Sequence, residues 1–233
     1  MINQLANFLT ILSLTGGFFS IILSLENHFT FACWAIILSV IFDGIDGQLA
    51  RRNPAPSEFG KELDSLVDVI SFGIAPSILG YIFIYREFHF WATIALFVYL
   101  LCSVLRLAKY NITSKQTLAN YFYGLPTTVS GGVLSSFVLI YRKQGGELLP
   151  AYVPLLFVVL VLALAWLMVS RVRYMNLDGI KEILGKNKFI IIVFLVIALV
   201  EAAIFKKVGI TVFLLFLIYL IFSPVVVKNI NHS

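Results

Sequence analysis

Eight stretches of about 20 predominantly apolar residues run through this 233-residue chain, and no other feature restricts its fold as strongly. They occupy residues 5–25, 30–50, 58–85, 90–110, 123–141, 152–172, 189–205 and 209–227. A helix of that length matches the hydrocarbon thickness of a bilayer, and in lipid each backbone polar group must be bonded within its own segment. The expected fold class is therefore all-α, a polytopic integral membrane protein. Residues 154–168 and 211–222 hold no charge at all. The segment 123–141 is weaker, because Gly131, Gly132 and several serines interrupt it, residues of the kind that let helices pack closely. Composition agrees: 12% of residues are charged, against about 25% in a soluble domain, so the chain could not cover a water-facing surface. Disorder is excluded by the same apolar excess. Cys33 and Cys102 both sit inside apolar runs and imply neither a disulfide framework nor a zinc site. No basic residue precedes Arg51, so the basic leader of a cleavable signal is not expected.

Orientation follows from the basic residues. With Arg51 and Arg52 on the cytoplasmic side and strict alternation thereafter, twelve Lys and Arg residues fall on that side and five on the other. That bias predicts an even number of spans with both termini in the cytoplasm, at the cell membrane. The net charge of +5 then lines one membrane face, where anionic head groups or phosphate substrates, rather than nucleic acid, are the natural partners. No internal repeat is visible, and residues 176–186 read as an interfacial helix or linker.

The acidic residues narrow the function. Four of the five aspartates, Asp43, Asp46, Asp64 and Asp68, fall within 26 residues on the second and third segments. An aspartate at mid-helix costs roughly 2.5 to 3.5 kcal/mol on insertion, so these four must face inward and be neutralised. Asp43 and Asp46 are three apart and Asp64 and Asp68 four apart, so each pair shares a helical face. Between the pairs, Asn53-Pro54-Ala55-Pro56-Ser57 breaks the helix, and Ser57 is placed to cap the third segment with Glu58 in its first turn. Two helices joined by so tight a break bring the carboxylates together. All-oxygen donors suit Mg²⁺ or Mn²⁺, and four carboxylates can hold two such ions for in-line phosphoryl displacement. Gly47, Ala50 and Gly60 would let a ligand approach the backbone, and Arg51 offers a planar fork to phosphate oxygens. The plainer reading is that the carboxylates pair with Arg51, Arg52 and Lys61 in a loop. It fits poorly, because Asp43 lies about 12 Å along the helix from Arg51.

Asp43, Asp46, Gly47, Ala50, Arg51, Gly60, Asp64 and Asp68 at these spacings match all eight fixed positions of a signature, and the chain resembles the CDP-alcohol phosphotransferase family over about residues 5–174. At about one chance in twenty per position, such a coincidence is on the order of 10⁻¹⁰ per window. The resemblance implies a six-helix transmembrane catalytic core, residues 1–175, followed by a linker and two extra helices in residues 176–233. It implies that Asp43 and Asp64 bridge two divalent ions, that Asp46 and Asp68 complete one site each, and that Asp68 is also the base that takes the acceptor hydroxyl's proton. Gly47, Arg51, Ser57 and Gly60 would contact the CDP moiety. Asn7 and Thr10 match an element near the cytidine end, although Ala6 stands where proline often precedes the asparagine. A homodimer is expected on the same ground.

Members of this family share the CDP-lipid donor and differ in the acceptor alcohol. The run Asp64-Ser65-Leu66-Val67-Asp68-Val69-Ile70-Ser71-Phe72-Gly73-Ile74-Ala75-Pro76 resembles the bacterial and archaeal phosphatidylserine synthases. So do Arg106-Leu107-Ala108-Lys109-Tyr110-Asn111, Gly124-Leu125-Pro126 and Leu167-Met168-Val169-Ser170. That resemblance implies CDP-diacylglycerol as donor and L-serine as acceptor. Arg106 or Lys109, with Asn111, would read the acceptor, the plainer alternative being that both cations only set topology. A phosphorylated acceptor, glycerol 3-phosphate or an inositol phosphate, stays open because Arg171, Arg173, Lys186 and Lys188 offer further cations. A cation transporter using the aspartates as a pathway is a more distant alternative. It leaves Gly47, Ala50, Arg51 and Gly60 unexplained.

Overall fold

The computed structural model describes residues 2–52, 57–113, 121–141, 150, 152–175 and 208–230. The expected segment 189–205 and the linker 176–186 lie outside these residues. Helix α1 (Ile2–Leu25) and helix α2 (Phe29–Arg52) form the first hairpin. Their turn is a Schellman cap. Asn27 takes the left-handed conformation at φ 62°, its N–H donates to the Ser24 carbonyl, and the His28 N–H donates to that of Leu23. Helix α3 (Glu58–Asp68) starts as its sequence demands, with the Ser57 hydroxyl accepting from the Gly60 N–H at 3.3 Å and Glu58 in the first turn.

The expected uniform third helix is not uniform. After Asp68 the backbone widens into a π-helical segment, Val69–Ile74, before helix α4 (Ala75–Thr113). Pro76 supplies one reason, since it has no N–H to give the Phe72 carbonyl as an α-helix requires. The Tyr99 hydroxyl donates to that carbonyl instead, at 2.9 Å. For Tyr99 to reach Phe72, and Leu96 to lie against Gly80, α4 must fold back on itself between Ile84 and His89. It therefore supplies two spans, Glu58–Ile84 (with α3) and His89–Ile112.

A short strand β1 (Tyr121–Tyr123) precedes helix α5 (Thr127–Tyr141), and helix α6 (Tyr152–Val169) leads into strand β2 (Arg173–Met175). The strands pair antiparallel, Phe122 opposite Tyr174. This corrects the expectation of helix from residue 123: among described residues that are otherwise mostly helical, a two-stranded ribbon precedes α5. Gly124 turns the chain out of β1 at φ +79°, with its N–H on the Val172 carbonyl at 2.8 Å and no room for a side chain beside the Met168 carbonyl. Tyr174, a buried residue of β2, has its phenol pushed up to about 12 by loss of solvent, so it stays neutral. Helix α7 (Val208–Ile230) packs on α5 and β2.

Among the described residues, five helices are long and apolar enough to cross a bilayer, and α5 and the stretch Gly209–Pro224 of α7 are shorter apolar helices. Outward faces carry Phe8, Phe18, Phe31, Trp91, Phe97 and Trp166, as lipid-facing surfaces should. Among the described residues the architecture is that of an all-α membrane protein, with the ribbon as the exception. Its helices approach closely where side chains are small. Ser39 Oγ donates to the Ser13 carbonyl at 2.9 Å, Ser71 Oγ donates to the same carbonyl at 3.0 Å, and Gly17 leaves the space that Ser71 fills. These contacts clamp α1 between α2 and the π-helical segment, three residues past Asp68.

Candidate active site

That clamp sets two carboxylate-bearing elements against each other. Asp43 of α2 and Asp64 and Asp68 of α3 each present an oxygen within 4.8 Å of the other two. Asp68 is buried and the other two are half-buried. Three ionised carboxylates at that separation repel by about 3–4 kcal/mol per pair at an effective dielectric near 20. Oxygen donors of one charge, converging from two helices onto one point, fit a hard divalent cation. Asp46 stands beside this group, 4% exposed, and its carboxylate accepts from the Thr10 hydroxyl of α1 at 2.9 Å.

Other residues singled out in the sequence fall around the carboxylates. Gly60 gives up its side-chain space to Asn7, whose Oδ1 would lie 2.9 Å from an added Cβ. The open space expected there for a ligand is therefore taken by the α1 carboxamide. Asn7, Thr10, Ser57 and Gly60 thus come together where α1 meets the ends of α2 and α3. Gly47 is half-buried on α2, and the Arg51 side chain lies outside the described residues.

The three candidate acceptor residues separate. Arg106 is 9% exposed and turned into the protein, whereas Lys109, one turn on, is exposed. Asn111 reaches α3: its Nδ2 donates to Ser65 Oγ at 2.8 Å, and Lys61 Nζ donates to its backbone carbonyl at 3.2 Å. Sequence reasoning missed Thr127. Fully buried at the start of α5, its hydroxyl accepts from Arg106 Nη1 at 3.1 Å and donates to Asp68 Oδ2 at 3.4 Å. One hydroxyl thereby links the buried cation to the buried carboxylate. The only sequence signal was a polar pair, Thr127-Thr128, directly after Pro126 in the first turn of an apolar helix. The stretches around Gly124 and Met168 also meet, the Leu125 N–H donating to the Leu167 carbonyl at 3.0 Å.

The matching region agrees with this geometry. Residues 3–170 match the family described as CDP-alcohol phosphatidyltransferase, and the chain belongs to that family. Among curated proteins it is 33% identical over 175 residues to the CDP-diacylglycerol–serine O-phosphatidyltransferase of Helicobacter pylori, covering 75% of this chain and 73% of that one. It is 34% identical to the archaetidylserine synthase of Methanothermobacter thermautotrophicus, covering 75% and 71%. To the CDP-diacylglycerol–serine O-phosphatidyltransferase of Bacillus subtilis it is 30% identical, covering 74% and 90%.

Proposed function

We propose that this protein transfers a phosphatidyl group from CDP-diacylglycerol to L-serine, giving phosphatidylserine and CMP. The observation that carries the reading is the convergence of Asp43, Asp64 and Asp68, the last of them linked through the Thr127 hydroxyl to a buried Arg106, in a chain of this family. Asp43, Asp46, Asp64 and Asp68 would hold two divalent cations, Mg²⁺ or Mn²⁺, whose chemistry there is to neutralise the pyrophosphate and the charge on the attacked phosphorus. Asn7, Thr10, Gly47, Arg51, Ser57 and Gly60 bind the CDP end of the donor. Asp68 accepts the serine hydroxyl's proton as that oxygen bonds to the lipid-side phosphorus, and the bond from phosphorus to the CMP oxygen breaks in line. Arg106 faces the serine carboxylate. Its burial and its link to Asp68 favour it over the exposed Lys109, and Asn111 holds α3 and α4 together at the site's edge.

The wider arrangement belongs to the same proposal. The seven apolar helices described, with residues 189–205 as an eighth span, put both termini and the site at the cytoplasmic face of the cell membrane, where serine is available. Residues 1–175 form the catalytic core, residues 176–233 add the last two helices, and two copies assemble as a homodimer. The test is CMP release by purified protein from CDP-diacylglycerol with Mg²⁺ or Mn²⁺ and a panel of acceptors. Serine should support release, and glycerol 3-phosphate and inositol phosphate should not. The opposite pattern overturns the acceptor, and metal-dependent ion flux into liposomes without CMP release overturns the reaction.

A further inference from the structure

Helix α7 lies outside the family match, and its docking bears on acceptor recognition as read above. It runs antiparallel to α5: an added Cβ on Gly209 would touch Leu139 at 3.1 Å, and one on Gly132 would run into the Phe216 ring. Continued by one to two turns, that register sets Tyr219 and Ser223 beside the start of α5, where Thr127 stands. There α7 is tied to the backbone of β2. The Tyr219 hydroxyl donates to the Met175 carbonyl at 2.8 Å, and the Met175 N–H donates to Ser223 Oγ at 2.6 Å. The Tyr219 ring stacks on that of Tyr174, with centroids 6.2 Å apart and an interplanar angle of 22°.

Arg106 occupies the same junction. It reaches that junction through Thr127, at the start of α5 on which α7 packs, and its guanidinium lies 5.6 Å from the Tyr110 ring centroid. Thr127 takes Nη1, but the buried Nε has no hydrogen-bond partner among the described residues. A buried donor left in that state costs free energy, and the cost is recovered when a ligand oxygen accepts from it. We infer that α7 completes the acceptor pocket, with Tyr219 as the positioning residue that holds Arg106 so that Nε is offered to the carboxylate of a small hydroxylated amino acid. Thr127 from α5, Tyr110 from its own helix and Tyr219 from α7 then fix the plane of the guanidinium, which a planar carboxylate needs in order to bind it well.

The test uses full-length protein in mixed lipid micelles, with serine and CDP-diacylglycerol titrated separately. Tyr219→Phe keeps the ring and removes one hydrogen bond, so the KM for serine should rise about fivefold while that for CDP-diacylglycerol stays put. Ser223→Ala should move the serine KM in the same direction, which keeps the inference testable where a Tyr219 variant folds poorly. In an Arg106→Lys background, which lacks Nε, adding Tyr219→Phe should cause no further rise, a non-additivity that a purely structural role would not produce. An unchanged serine KM in both variants, equal shifts for both substrates, or effects of Tyr219→Phe and Arg106→Lys that multiply would overturn the inference and leave the functional reading standing. No serine-dependent CMP release from the native chain would overturn both.

Discussion

Asp46 and Asp68 show how much a neighbour's hydroxyl sets a carboxylate's role. Asp46 accepts from Thr10, and groups that orient metal ligands typically affect metal affinity by about 10–100-fold. Thr10→Val should therefore raise the Mn²⁺ concentration needed for half-maximal CMP release by about that factor, with the serine KM little moved. Asp68→Asn keeps the size of the side chain but can no longer take a proton, and CMP release should fall about 10²–10⁴-fold. Normal turnover by that variant, measured at saturating metal, would refute its role as base. The aspartates were legible because spacing of three and four residues on two helices is a local pattern. Thr127 was not, because it lies 59 residues beyond Asp68 in sequence and only the tertiary fold brings it to that carboxylate.

Among the elements, the π-helical segment connects Asp68, the proposed base, to the helix behind it. The Tyr99 hydroxyl serves the Phe72 carbonyl and meets Ser130 Oγ at 2.9 Å, so α4 and α5 are tied to the segment that begins just after Asp68. Tyr99→Phe removes the donor from a buried carbonyl and should cost about 1–3 kcal/mol, read as a lower melting temperature in detergent. An unchanged melting temperature would mean that Pro76 alone shapes the segment. Gly124→Ala should be at least as damaging, since a side chain there meets both a left-handed backbone and the Met168 carbonyl. Helix existence was readable from apolar length. The widened turn was not: Pro76 announces that the Phe72 carbonyl loses its helical donor, but that a hydroxyl serves it instead depends on Tyr99, 27 residues beyond Phe72. The ribbon was hidden for a similar reason, because Tyr121–Tyr123 and Arg173–Met175 pair across two intervening helices.

Across the whole molecule, the sparse charges define both the solvent and the site. The twelve-to-five bias of Lys and Arg predicts that cysteines introduced at Lys115 and Lys228 react with a membrane-impermeant thiol reagent only from the cytoplasmic side, and one at Lys143 only from the opposite side. Labelling of positions 115 and 228 from opposite sides would break the even span count. The fold class was readable because lipid demands long apolar helices, whereas the turn-back inside α4 and the seat of α7 on α5 and β2 depend on side-chain fit that no periodicity encodes. All of this arrangement serves one displacement at phosphorus. With serine carrying ¹⁸O in its hydroxyl, the phosphodiester of the phosphatidylserine formed should retain the label and the released CMP should contain none. Unlabelled phosphodiester, or CMP released at the same rate without serine and accompanied by phosphatidic acid, would contradict attack by the serine oxygen at this carboxylate site.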